Sequence, residues 1–102
     1  MTSRKQVIDS VKPLARETVL DEAAGIVSGQ RLDAYGHPRD NYCRLAQMWS
    51  AYLGIDVTPG QSVDMMILVK IARQANAPNR DNLVDIAGYA RVAEMLEEPK
   101  HD

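Results

Sequence analysis

The chain has 102 residues, a formal net charge of −2, 45% hydrophobic residues and 25% charged ones, the proportions of one ordinary globular domain. No apolar run approaches the ~18 residues a membrane helix needs, and the near-neutral balance argues against extended nucleic-acid binding, which feeds on basic surface. A single cysteine, Cys43, excludes an internal disulfide framework and a cysteine-based zinc site.

The opening residues, MTSRKQVIDS, hold no apolar stretch of the signal-peptide kind, so a cytoplasmic location is expected. Phe is absent, and the aromatics are four Tyr and one Trp. So small a chain with few large aromatics should have a thin core and associate as a homo-oligomer.

Residues 1–16 are polar, interrupted by Pro13, and read as an arm or a short helix. A first helix is expected from about Thr18 to Ala34, with Val19, Ala23, Ile26, Val27 and Gln30 on one face. Gly36 suits a left-handed capping position. Pro38, at a helical N1 position, starts a second helix to about Leu53. Its stripe is Tyr42, Leu45, Ala46, Trp49, Tyr52 and Leu53.

Thr58-Pro59-Gly60-Gln61 is a capping box with proline at N1. It opens a third helix to about Ala75, whose run MMILV is apolar on every face and so should lie mid-assembly. Asn79 can cap a last helix to about Glu97, with Leu83, Ile86, Ala87, Ala90, Ala93 and Leu96 as its apolar face. The expected fold class is all-α: a compact bundle of four or five helices over residues 17–97, with a tail at 98–102.

Three groups of residues exceed what folding needs. The first is RLDAYGHPRDN, residues 31–41. Punctuation accounts for Gly36 and Pro38. It leaves Tyr35, His37, Arg39 and Asn41 unaccounted for, because His is not a favoured N-cap residue. A helix N-terminus also offers free N–H groups to an anion.

The second group is Lys70 and Arg73, three apart on a helix expected to be mostly buried. Buried cations need partners, so both should be internal, held by Asp81 and Asp85 or by a ligand phosphate. The third is Asp81, Asp85, Gly88 and Tyr89 along one stripe of the last helix. Asp81 suits the helix dipole, whereas Asp85 sits deeper. Gly88 costs about 1 kcal/mol against alanine in a helix interior, which a close helix crossing or an approaching ligand would explain. The Asp-x-x-x-Asp spacing can also hold Mg²⁺. Trp49 suits the core by its stripe, though its indole can also stack a base. Cys43 reads as a small packing residue with no activating base beside it.

The combination of YGHPRDN, a central tryptophan, KIAR and DNLVDIAGYA resembles a family of small helical proteins of uncharacterised function common in bacteriophage genomes, over about residues 17–95. More distantly, the chain resembles the MazG-like all-α nucleotide pyrophosphohydrolases, in which Glu-Glu-x-x-Glu and Glu-x-x-Asp hold Mg²⁺ against substrate phosphates. That resemblance places the second motif on Asn82-Leu83-Val84-Asp85, where only Asp85 keeps its acid. The first falls near Lys70 to Arg73, where bases replace acids. Cations there repel Mg²⁺ and can contact phosphate directly.

The expected function is binding and sequestration of a nucleotide or cyclic nucleotide without hydrolysis, and with no cofactor. Lys70, Arg73 and Arg39 would contact phosphate, with His37 in the same loop. Tyr35, Tyr89 or Trp49 would stack the base, while Asn41 and Asp85 would read polar edges. In a phage-like setting such a protein would blunt a host defence messenger. One alternative is a Mg²⁺-dependent pyrophosphohydrolase using Asp81 and Asp85 with Glu17 or Asp21. The other is a helical interaction module whose polar stripes pair between subunits.

Overall fold

A computed structural model of the chain describes residues 17–29 and 36–99; the proposed arm, Tyr35 and the chain end lie outside the described residues. Four helices and no strand occur among the described residues: α1 (Val19–Ser28), α2 (Pro38–Leu53), α3 (Pro59–Asn76) and α4 (Arg80–Leu96).

Each helix begins at a local signal. Thr18 and Asp21 form a capping box on α1, with Asp21 N–H donating to Thr18 Oγ1 at 3.1 Å and Thr18 N–H to Asp21 Oδ2 at 3.2 Å. The α3 box forms as its sequence indicates: Gln61 N–H donates to Thr58 Oγ1 at 3.1 Å and Thr58 N–H to Gln61 Oε1 at 2.9 Å. Asn79 caps α4, accepting from Asp81 N–H at 2.8 Å. The turn before α4 is clamped by Gln74, whose Oε1 accepts from both Asn79 N–H and Asn82 Nδ2.

Helix α1 ends at Ser28, and the remainder of the helix expected to Ala34 lies outside the described residues. Gly29 follows, and a Cβ there would stand 2.8 Å from the Gly25 carbonyl oxygen, so glycine is required at this position. Gly54 ends α2 in the left-handed region at φ 75°, its N–H donating to Ser50 O at 2.9 Å. Ser50 Oγ then accepts from Val57 N–H at 2.8 Å, which folds the connecting loop back onto α2.

The hub is α4. It packs against α1, α2 and α3, whereas among the described helices α1 packs on α4 alone. The core is thin: Val27, Tyr42, Val63, Tyr89, Val92 and Met95 form one buried cluster, and among the described residues only Val63 and Ser62 are wholly enclosed.

Two expected faces need correction. Helix α3 is not central within the chain, because Leu68 (60% exposed) and Ile71 (48%) face outward. It packs only against α2 and α4, so its far side has no neighbour among the described helices. On α4 the buried residues are Asn82, Val84, Tyr89, Val92 and Met95, while Leu83 and Ala90 of the expected face are exposed. Both sides of α4 are apolar, and the side bearing Val84, Tyr89, Val92 and Met95 is the one the fold covers. On α2 the expected stripe is buried at Tyr42 and Ala46 but runs out into solvent at Tyr52 and Leu53.

Hydrogen bonds with Thr18 hold the Asp21 carboxyl below its ordinary 3.8. A depressed carboxylate adds stability above its unfolded value and loses it as pH falls through the folded one. The stability difference between the native chain and Asp21→Asn should therefore shrink as pH drops below 3.8. Thermal melts across that range measure it, and a difference independent of pH would refute the assignment.

Candidate functional site

The residues singled out by sequence separate into two places. The first centres on Lys70. Its Nζ lies 2.9 Å from Asp85 Oδ2, with the Lys70 side chain 14% exposed and Asp85 41%. The pair joins α3 to α4, and it answers the partner question for Lys70 within the chain. Arg73, by contrast, is exposed rather than internal, and no ion pair among the described residues holds it or Asp81. One helical turn beyond Lys70, α3 has already reached its exposed end.

Asp85, Gly88 and Tyr89 line a small cavity with Ala23, Ile26 and Val27 of α1. Its volume is about 20 Å³, room for a single water. Tyr89 belongs to the buried core. A Cβ built on Gly88 would meet Val27 Cγ2 at 3.5 Å, an ordinary contact. The glycine thus marks the α1–α4 crossing.

The second place is where α2 begins, α3 begins and α4 ends. His37 is the N-cap of α2: its Nδ1 accepts from Arg39 N–H at 3.0 Å. An imidazole thereby does what a Ser or Asp hydroxyl or carboxylate usually does. Arg39 Nε donates to Leu96 O at 3.3 Å, one of the orphan carbonyls at the end of α4. Arg39 also lines an open groove of about 490 Å³, together with Cys43, Thr58, Pro59, Gly60, Asp64, Ala93, Leu96 and Glu97. That volume is within the range of small-molecule sites. Asn41 and Trp49 are half-buried on α2 and do not line it.

Arg39 and Lys70 do not converge. Their partners on α4 are Leu96 and Asp85, eleven residues apart (96 − 85), roughly 16 Å along the helix. One phosphate cannot touch both. Sequence reasoning missed the groove's other walls, because Thr58 reads as a cap, Asp64 as a complement to the helix dipole and Glu97 as tail; in the fold Asp64 lies beyond the first turn of α3, which carries no acid. Among the described residues no three His, Cys, Asp or Glu side chains converge as metal ligands.

A family model described as a domain of unknown function, DUF6378, matches residues 18–97. The chain belongs to this family. It is 42% identical over 87 residues to the Gene 55 protein of Mycobacterium phage L5, covering 83% of this chain and 56% of that protein. It is also 40% identical over 85 residues to the Gene 55 protein of Mycobacterium phage D29, covering 81% and 56%. The chain thus spans little more than half the length of these relatives. No solved structure matches. The resemblance to a small phage family is therefore shown, and the match takes in all four helices and both places described above.

Two outcomes test this account. Gly88→Ala should raise stability by up to about 1 kcal/mol in chemical denaturation, since alanine is the better helix former and the new methyl meets only Val27. A clear loss would mean the crossing is tighter than 3.5 Å contact implies. Asp85→Asn should cost about 1–2 kcal/mol by leaving the Lys70 cation uncompensated, and Lys70→Met should cost less. The opposite order would show that the cation has another partner.

Proposed function

We propose that the chain is a nucleotide-binding protein that holds its ligand in the groove between the start of α2, the start of α3 and the end of α4, without hydrolysing it. The observation that carries this reading is the pairing of a ligand-sized groove with the Arg39 guanidinium on its wall. Arg39 spends its Nε on the Leu96 carbonyl, which fixes the group in place, and the terminal amino groups remain to meet a phosphate. Pro59, Ala93 and Leu96 supply apolar surface for a base. Lys70 keeps Asp85 and acts in folding.

Hydrolysis is the less supported chemistry. A MazG-like, Mg²⁺-dependent reaction needs several acids around one point, and Asp85, the acid that matches that motif, is spent on Lys70. A protein of this kind acts on a nucleotide by withholding it, and in a phage that withholding would blunt a host messenger.

A second reading has its own support. Ten large apolar side chains among the described residues are more than 40% exposed, including Tyr52 (86%) and Met48 (63%) toward the end of α2, Ile55 (64%) in the loop after it and Leu68 on α3. Single exposed apolar residues are normal, but runs of them mark interfaces. We propose self-association through these faces, which fits a nucleotide binder and a helical interaction module equally.

Calorimetry with a nucleotide and cyclic-nucleotide panel, followed by mass spectrometry of the denatured sample, tests the main reading. Ligand should return intact, Arg39→Ala should weaken binding at least tenfold (about 1.4 kcal/mol), and Lys70→Met should bind nearly as well as the native chain. Products that appear only with Mg²⁺ would favour the enzyme, and silence across the panel would leave the interaction module. Sedimentation equilibrium tests the second reading: the native chain should exceed its 11.3 kDa monomer mass, and Leu68→Glu should lower the mass.

A further inference from the structure

We propose that the groove selects guanine, with Asp64 reading the base edge. The inference rests on the nucleotide reading above and names the substrate class of the same site.

The groove has three walls of different chemistry. Arg39 and Cys43 come from α2, Ala93, Leu96 and Glu97 from the end of α4, and Thr58, Pro59, Gly60 and Asp64 from the start of α3. On the α3 wall Thr58 Oγ1 is already engaged with Gln61 N–H. Asp64 is exposed, and no ion pair among the described residues holds its carboxylate. Gly60 stands one turn before it, and a Cβ there would meet nothing nearer than Thr58 Oγ1 at 3.9 Å. The wall beside Asp64 is therefore low and open, which suits a flat ring lying against Pro59.

A carboxylate is an acceptor with two oxygens side by side and no donor. Guanine alone among the common bases presents two adjacent N–H donors, N1–H and the N2 amino group, on its pairing edge. Adenine and cytosine put a ring lone pair beside their amino group, and uracil flanks its N–H with two carbonyls. Each of these sets a lone pair against a carboxylate oxygen. Charge sets the other end of the ligand. One guanidinium stands there with Glu97 next to its anchor at Leu96. A single cation beside a carboxylate suits one phosphate better than a chain of them, so a guanosine monophosphate or a cyclic phosphodiester fits best.

The test uses the full chain with GMP and AMP in parallel titrations, with far-UV circular dichroism of each variant to confirm its fold. GMP should bind at least about tenfold more tightly than AMP, the low end of what one well-placed bidentate contact discriminates. Asp64→Asn should reverse the order, because a carboxamide offers one acceptor and one donor and so matches adenine. Equal affinities in the native chain, or a guanine preference untouched by Asp64→Asn, would overturn the guanine assignment and leave the nucleotide reading standing. Binding of neither nucleotide, together with silence of the cyclic nucleotides, would remove both.

Discussion

Helix α4 has to satisfy three neighbours at once, and the rest of the molecule follows from how it does so. Toward α1 it presents Val84, Gly88 and Val92, with Val27 of α1 lying over the glycine. Toward α3 it offers Asp85 to Lys70. At its end the Leu96 carbonyl receives Arg39 from α2. Its start is fastened as well, by Arg80, which pairs with Glu22 and donates to Glu17 O on the chain entering α1. Those contacts with Glu22, chiefly the hydrogen bond, hold the Arg80 pKa above its ordinary value, although so exposed a pair adds little stability by itself.

Three helices around one hub cannot cover every apolar face. The buried cluster is small, and the outer side of α3 and the end of α2 are left apolar and open. Lys70–Asp85 adds little net stability to such a core, because desolvation offsets most of the attraction between the charges. Its value is register: with Lys70 mostly enclosed, sliding α3 one turn toward Tyr89 would strand a cation. A polar contact of this type specifies how two helices meet where packing alone is permissive.

The groove arises from the same arrangement at the opposite end from the α3–α4 turn. Three helix termini meet there, and termini carry small capping residues in place of large packing side chains. Thr58, Pro59 and Gly60 leave space, His37 and Thr58 satisfy the backbone, and Arg39 closes one side by bonding the last turn of α4. The opening is thus a by-product of sound capping. Arg39, Asp64 and Glu97 are the charged residues that line it.

Much of this architecture was legible in the order of the residues. Thr58 with Gln61, Asn79 before Asp81, and Pro38 at the head of α2 act within four positions of themselves, and such signals fix helix boundaries whatever surrounds them. The all-α class and the thin core follow from those signals and the composition. The covered faces of α3 and α4 did not follow, since both helices are apolar on two sides and periodicity cannot say which side meets a neighbour. Nor could spacing decide that Lys70, not Arg73, would find Asp85, or that Arg39 would reach a carbonyl 57 residues away. Those outcomes depend on the crossing of α4 with its three partners, and only the folded chain sets that crossing, because it is the packing of whole helix faces that fixes which side chains meet.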